Sequence, residues 1–353
     1  MFTFERLALP VVQAPMAGGP STPDLAAAVS NAGGLGFLAA GYLTAAQLHG
    51  DIARTRTLTA APFGVNLFAP QTSVAKLAQI EDYRSRLEPD AARYDIELPE
   101  LIVDGSVSDV ADDDWHNKIA VLEADAPSVV SFTFGLPAPE VLTRLHALDV
   151  CVVATVTSVS EAIQAIALGV DALCVQGPGA GGHRGTFDPA AALSTQPLER
   201  LLESIAALTD MPLIATGGVA SSADVRHLLD HGAVAVQCGT AFLKTVESGT
   251  RPAHRAAIGS PDFPDTTVTR AFTGRAARAL VNRFVETHDA TAPLGYPEVG
   301  DLTAPLRAAA NAAGDAHGLA LWAGTGHRLV REGTAAQIVA MLSPAPTEPI
   351  RRD

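Results

Sequence analysis

Short apolar runs alternate with helix-like segments along most of this chain, and this alternation constrains the fold more than any other feature of the sequence. Eight of the runs are apolar or β-branched nearly throughout, as in parallel strands that are buried on both faces. These predicted strands are residues 11–14, 36–39, 64–68, 129–134, 150–156, 172–176, 213–216 and 233–238. Because helical patterns fit between most of them, the sequence favours a TIM (β/α)8 barrel over an open doubly wound sheet.

Two stretches interrupt the alternation. Residues from about 70 to 127 form an acidic, helix-like insertion between the third and fourth strands, and an irregular segment follows the eighth strand. Segments of this kind commonly cover the mouth of a barrel. We therefore expect a barrel over residues 1–245, a smaller helical domain over residues 246–313 that lies across the mouth, and a C-terminal segment, residues 314–353, that returns to the barrel.

Composition and charge narrow the class of protein. With 353 residues, 48% hydrophobic and 18% charged, the chain is long and apolar enough for a deep globular core. A formal net charge of −14 argues against nucleic acid or an anionic membrane as a partner. Three cysteines inside apolar runs, without a CxxC spacing, indicate reduced core thiols and no metal site. No secretory signal is evident, so we expect a cytoplasmic protein.

Glycines follow the seventh and eighth predicted strands. Gly217 and Gly218 come after the seventh strand, and Gly239 and Thr240 come after the eighth. In a TIM barrel these two loops commonly bind phosphate, because glycine lets the backbone approach the ligand. Glycine also suits any tight βα turn, but two adjacent loops in this order favour phosphate binding. Ser221 or Ser222 is expected to open a helix whose N-terminus faces the phosphate.

Four amide side chains stand at or near the ends of predicted strands: Gln13, Asn66, Gln176 and Gln237. A buried amide must be hydrogen-bonded, so each either satisfies loop backbone or presents donors and acceptors to a ligand. Several amides on one face suit a polar heterocycle such as isoalloxazine.

His183 lies in a glycine-rich loop directly after the sixth strand, in the segment QGPGAGGHRG at residues 176–185. Such a loop lets backbone N–H groups approach an anionic or flavin-like ligand, and histidine changes charge near neutral pH. The alternative is a flexible turn with an incidental histidine. As a functional residue, His183 has two possible roles: a general base for a weakly acidic C–H, or a donor to a substrate oxyanion.

The chain resembles the nitronate monooxygenases, formerly called 2-nitropropane dioxygenases, of the bacterial class I type. The resembling segments occur in family order over nearly the whole chain: residues 12–19, 27–36, 64–66, 130–135, 181–185, 215–219, 237–240, 302–307 and 321–324. The resemblance implies an FMN-containing TIM barrel with a smaller helical domain over its mouth. It also implies oxidation of alkyl nitronates, such as propionate 3-nitronate, by O2 to a carbonyl compound plus nitrite or nitrate, without NAD(P)H.

The resemblance further implies roles for particular residues. His183 matches the active-site histidine, which binds the nitronate as an imidazolium or acts as a base toward a neutral nitroalkane. Tyr296 and Lys118 resemble positions near the substrate. The sequence departs from the family at Gly179, where members often carry Glu, so we expect a more flexible loop without a carboxylate beside His183. The FMN-binding residues, including the glycines of the two phosphate loops, are expected to be Ala14, Pro15, Met16, Asn66, Gln176, Gly181, Gly217, Gly218, Gln237, Cys238, Gly239 and Thr240.

Two other functions remain open at this stage. An FMN-dependent reductase linked to NAD(P)H, acting on an enoyl-acyl-carrier protein or a quinone, shares the AGGH and phosphate loops. A barrel that binds flavin or phosphate without catalysis has no need for His183. The segments at 302–307 and 321–324 favour the monooxygenase. The expected partners are a small nitronate and O2, and the expected assembly is a monomer or homodimer.

Overall fold

The computed structural model describes residues 1–100 and 113–345, and within them the predicted barrel is confirmed. In chain order the strands are β1 (Val11–Gln13), β2 (Gly36–Ala39), β3 (Phe63–Phe68), β4 (Val129–Thr133), β5 (Cys151–Val156), β6 (Ala172–Gln176), β7 (Gly182–His183), β8 (Leu213–Thr216), β9 (Ala235–Cys238), β10 (Thr266–Thr269) and β11 (Ala277–Leu280). Eight of them form one parallel sheet in the order β1-β9-β8-β6-β5-β4-β3-β2. The eight predicted strands match these eight, with ends that differ by at most two residues.

The barrel closes between β1 and the start of β2. A parallel bridge joins Val12 to Leu35, and the Gln13 N–H donates to the Leu35 carbonyl oxygen at 2.9 Å. The fully buried Gln13 side chain also accepts a hydrogen bond from the Phe37 N–H at 2.9 Å. Of the two roles open to the Gln13 amide, the structure therefore shows the one that satisfies backbone.

Twelve helices lie in the described part of the chain. They are α1 (Pro23–Asn31), α2 (Ala45–Leu58), α3 (Leu77–Arg93), α4 (Trp115–Ala124), α5 (Pro139–His146), α6 (Val159–Leu168), α7 (Leu198–Ala206), α8 (Ser222–Asp230), α9 (Pro252–Ala257), α10 (Arg283–His288), α11 (Glu298–Ala312) and α12 (Ala335–Leu342). The last helix packs against α1 and α8, which places the C-terminal segment against the barrel wall as far as residue 345. No helix among the described residues is long and apolar enough to cross a membrane.

The two interrupting segments pack on each other. Tyr83 of α3 is fully buried and donates a hydrogen bond to the Ala271 carbonyl oxygen at 2.6 Å. His288 of α10 lies 2.7 Å from the Asp90 carboxylate of α3. These contacts surround an apolar cluster that residues of both segments share, including Phe272. The insertion therefore covers the segment that follows the barrel.

The sequence had indicated that residues 246–313 are helical, but the structure shows strands there as well as helices. They include β10 and β11, an antiparallel pair whose inner strand also pairs with β7. The hairpin forms because Ala277 and Arg278 find partners in the glycine-rich loop, which is almost 100 residues away in the chain. Such non-local pairing leaves no helical or alternating pattern strong enough to read from sequence. The domain boundaries themselves stay a prediction.

The packing of α1 against β2 can be tested by comparing substitutions at two glycines, one buried and one exposed. At Gly36, a Cβ would lie 1.9 Å from the Ala26 carbonyl oxygen of α1, whereas at Gly50 of α2 it would meet nothing within 4 Å. We expect Gly36→Ala to lower the free energy of unfolding by about 1–3 kcal/mol through overpacking. The matched variant Gly50→Ala should raise it by up to about 1 kcal/mol, because alanine favours the helix. Urea unfolding measures both; equal effects at the two sites would contradict this packing.

Candidate active site

A cavity of about 500 Å³ opens at the carboxyl ends of the barrel strands. Its wall combines loops of the barrel with residues of the segment that follows β9. Every residue predicted to bind FMN lines it, as do His183 and Tyr296. Lys118 does not line it. The strand ends therefore converge as the TIM-barrel arrangement predicts.

The loops after β8 and β9 present free backbone donors to this cavity. Gly217 and Gly218 have φ angles of 130° and 78°, which an L side chain rarely adopts. Among the described residues, the N–H groups of Gly218, Val219, Gly239 and Thr240 have no hydrogen-bond acceptor. Several such donors at adjacent loops form a suitable cradle for an anion such as phosphate.

Helix α8 begins at Ser222 with Ser221 as its N-cap, which confirms the predicted helix start. Ser221 caps this helix by accepting the Asp224 N–H at 3.2 Å. The Asp224 carboxylate in turn accepts the N–H groups of Ala220 and Ser221, each at 3.0 Å. These two donors are therefore satisfied by the helix's own acid, and the glycine loops offer the free donors instead.

The buried amides divide into two groups. The Asn66 Nδ2 atom donates to the Ser131 hydroxyl at 2.9 Å and to the Thr133 hydroxyl at 3.0 Å. Gln176 bonds the loop after β6 with both ends of its amide (3.0 and 2.9 Å). In contrast, the Gln237 side chain has no hydrogen-bond partner among the described residues, although it lines the cavity. Gln237 is thus the amide most available to a ligand.

The backbone at His183 is fixed by contacts on two sides. Its strand pairs antiparallel with β11, where Ala277 lies opposite His183. From the other side, Gln176 Nε2 donates to the His183 carbonyl oxygen at 3.0 Å, and Gln176 Oε1 accepts the Gly185 N–H at 2.9 Å. Residues Gly182–His183 of the glycine-rich loop therefore form an edge strand with a fixed register, which differs from the alternative of a flexible turn.

Aromatic rings surround the His183 imidazole. Phe134 and Tyr296 meet it edge-on, with ring centroids 5.7 and 6.0 Å away, and Trp322 lies at 5.4 Å. Nε2 lies 2.9 Å from the Thr273 hydroxyl oxygen. The pKa of His183 is lowered from 6.5 to about 3, mainly by burial and to a smaller extent by the positive charges of Arg275 and Arg307. The imidazole of this cavity is therefore neutral at neutral pH.

Arginines supply the positive charge near His183. Arg307 of α11 lines the cavity and donates to the Gly300 carbonyl oxygen at 2.7 Å and to the Thr303 hydroxyl at 3.2 Å. Arg251 lines the cavity as well, and Arg275 is buried behind Phe134. The cavity of this acidic protein thus has the local cations that an anionic substrate requires.

The C-terminal segment closes one side of the site. A Cβ on Gly181 would lie 2.4 Å from the Gly324 nitrogen, so the two backbones are in direct contact. The Gly324 N–H donates to the Thr240 hydroxyl at 2.9 Å, and the Thr325 N–H donates to the Gly179 carbonyl oxygen at 3.0 Å. A side chain at Gly179 would meet Thr325 Oγ1 at 2.8 Å, so this position is packed and not an open, flexible loop.

Lys118 lies apart from the cavity, with 1% of its side chain exposed. Its ammonium group is 2.8 Å from an oxygen of Asp113, whose other oxygen accepts the Tyr42 N–H at 2.9 Å. Tyr42 lines the cavity, and its hydroxyl lies 3.4 Å from that of Tyr296. Lys118 is therefore linked to the cavity through Asp113 and Tyr42.

The sequence reading missed several residues around His183, including Phe134, Thr273, Trp322 and Arg307. Phe134 ends a predicted strand, and Trp322 and Arg307 fall in segments that carry the family resemblance, which was the available signal. The three cysteines are buried, and burial raises the pKa of each thiol to about 12. None is suited to act as a thiolate nucleophile.

Comparisons with known proteins show the family to which the chain belongs. Residues 4–344 match the family model described as nitronate monooxygenase. The chain is 40% identical to a nitronate monooxygenase of Paraburkholderia phytofirmans, with 94% of this chain and 91% of the relative covered. It is 39% identical to a nitronate monooxygenase of Pseudomonas aeruginosa, with coverages of 94% and 95%.

Two solved structures share the fold over most of their length. A nitroalkane oxidase from Streptomyces ansochromogenes is 47% identical, with 95% of each chain covered and a TM-score of 0.89. FabK from Thermotoga maritima is 25% identical, with coverages of 96% and 93% and a TM-score of 0.72. The family match over nearly the whole chain, at this identity, shows that the chain belongs to the nitronate monooxygenase family, whose members are flavin-dependent oxidoreductases.

Proposed function

We propose that this protein is an FMN-dependent enzyme that oxidises alkyl nitronates, such as propionate 3-nitronate, with O2 to a carbonyl compound plus nitrite or nitrate. The observation that carries the proposal is a single cavity that joins a cradle of free backbone donors to a neutral histidine in an aromatic enclosure. The solved neighbour described as a nitroalkane oxidase supports the same substrate class.

The residues of the cavity fit FMN. The four free N–H groups after β8 and β9 would hold the phosphate, and a Cβ on Gly218 would strike Thr325 Oγ1 at 2.6 Å, so only glycine leaves this cradle open. Gln237 and the backbone around residues 14–16 would meet the ring system, together with Asn66 and Gln176, which line the same cavity. When bound, FMN supplies one-electron oxidation chemistry, and the protein supplies orientation and electrostatics.

The substrate needs little proton chemistry from the protein. A nitronate is already a carbanion equivalent, so the site has to hold an anion, exclude water and admit O2. Arg307 and Arg275 offset the negative charge, and His183 contributes as a neutral group. The Thr273 hydroxyl donates its proton to the Arg275 carbonyl oxygen at 3.3 Å, so its oxygen acts as the acceptor toward His183. We therefore assign the proton of the neutral imidazole to Nε2, which donates to Thr273. Nδ1 is then free to take a proton from a neutral nitroalkane.

The first prediction separates this function from a pyridine-nucleotide reductase, which the FabK-like fold makes the second candidate. Purified protein is mixed without oxygen with propionate 3-nitronate, and separately with NADH or NADPH. We expect the flavin absorbance to bleach with the nitronate alone, because the anion itself is the electron donor. Bleaching only with a pyridine nucleotide would assign the protein to the reductases.

The second prediction concerns His183. Replacing it in His183→Asn should lower kcat/KM for a neutral nitroalkane by about 10²–10⁴-fold, the range expected when a general base is lost. The effect on a preformed nitronate should be smaller, because that substrate has no proton to lose. The control is His49→Asn, an exposed position on α2. Equal losses with both substrates would show that His183 does not act as the base.

The third prediction follows from the lowered pKa of His183. A histidine is neutral above its pKa, so a value near 3 keeps the imidazole uncharged throughout the range from pH 5 to pH 8. We expect ¹⁵N NMR of histidine-labelled protein to show His183 as the Nε2–H tautomer, without titration in that range. The signal is assigned by its loss in His183→Asn. A midpoint near the ordinary value of 6.5 would contradict a neutral site.

A further inference from the structure

Arg275 is a buried cation directly behind the wall of the site. It precedes β11, and 1% of it is exposed. Its guanidinium donates to the Gln71 side-chain oxygen and to the carbonyl and hydroxyl oxygens of Thr186. Among the described residues it forms no ion pair, and its Nε has no hydrogen-bond acceptor. Its direct hydrogen-bond partners are all neutral, and the carboxylates of Glu161 and Asp188 act on it without forming an ion pair. Burying a charge without a direct counter-ion is costly, so it calls for a reason in the site that it adjoins.

The guanidinium lies on the face of Phe134. The central carbon of the guanidinium is 3.9 Å from the ring centroid, a distance at which the cation is attracted by the ring. Phe134 has a φ of 76°, a left-handed conformation that is strained for a residue other than glycine. Gln71 reinforces the arrangement, since its Nε2 donates to the Phe134 and Phe187 carbonyl oxygens while its Oε1 accepts from Arg275.

This strained position of Phe134 brings its ring to the substrate side of the wall. The edge of the ring meets His183 at 5.7 Å with an interplanar angle of 89°, and meets Tyr296 at 5.8 Å. Arg275 and His183 therefore both contact Phe134: the guanidinium lies over the face of the ring, and the imidazole meets the ring at a right angle. The other charged or titratable groups that line the cavity are Tyr42, Cys238, Arg251, His254, Tyr296, Asp301 and Arg307.

We propose that Arg275 is a positioning residue, which holds Phe134 against His183 and places a permanent positive charge next to the ring that the imidazole contacts. The charge disfavours a second cation, so His183 stays unprotonated, and the same charge attracts an anionic substrate through the low-dielectric wall. The cation thus replaces an imidazolium as the counter-charge of the site. Only the role toward substrate rests on the proposed function; the effect on His183 does not.

The test is an NMR titration of His183 in the flavin-loaded protein, without substrate. In Arg275→Gln we expect the midpoint of His183 to rise by at least one pKa unit, a tenfold change in its protonation constant. In Arg275→Lys, which keeps the charge but lacks the planar fork, the midpoint should stay low while the chemical shift of the ring changes. The matched control is Arg278→Gln on β11, whose guanidinium points to Pro178 and Thr266. An unchanged midpoint in a folded Arg275→Gln protein would overturn the proposal.

Phe134→Leu provides a second variant that keeps the buried charge if Arg275→Gln does not fold. Here we expect His183 to remain unprotonated, because the cation is still present. A rise of its midpoint by a unit or more would show that the ring, not the charge, excludes the proton, and would also overturn the proposal. In turnover assays, Arg275→Gln should raise KM for a nitronate more than Arg275→Lys does. If nitronates are not substrates, the NMR titration still decides the role of Arg275.

Discussion

The pairing of the Gly182–His183 strand with β11 is the interaction on which the site depends. It joins the barrel to the segment that follows β9, and it sets the register that places His183 opposite Ala277. Gln176 completes the arrangement by bonding the backbone on both sides of Arg184. Since the hairpin also carries Arg275, one set of backbone hydrogen bonds positions both the histidine and the cation that lies behind Phe134.

Positive charge is concentrated at the cavity of this protein, although the chain as a whole is acidic. The chain carries a formal net charge of −14, yet the charges that lower the pKa of His183 are those of Arg275 and Arg307. Burial keeps these cations away from bulk water, so their influence on a bound anion is stronger than at the surface. The aromatic enclosure of Phe134, Tyr296 and Trp322 contributes by excluding water from the same space. The site is thus prepared for an anion before any substrate enters.

Much of the fold could be predicted from sequence because it follows from local patterns. Strands buried on both faces are apolar throughout, and capping residues such as Thr22, Ser158 and Ser221 mark where helices begin. The position of the cavity followed from the strand ends, since parallel strands bring their carboxyl ends to one face. The pairing of β11 with β7 could not be predicted in this way, because both strands are short and they are almost 100 residues apart in the chain.

The sequence by itself determined the barrel, the loops that carry glycine, and His183 as the residue in their midst, because each follows from residue types at fixed local spacing. Only the tertiary structure decided the chemistry of that histidine. Its neutrality depends on burial and on two arginines that come from positions more than 90 residues away. It also decided that Gln13 and Gln176 satisfy backbone while Gln237 faces the cavity, since identical side chains differ only in which partners the folded chain brings within hydrogen-bonding distance.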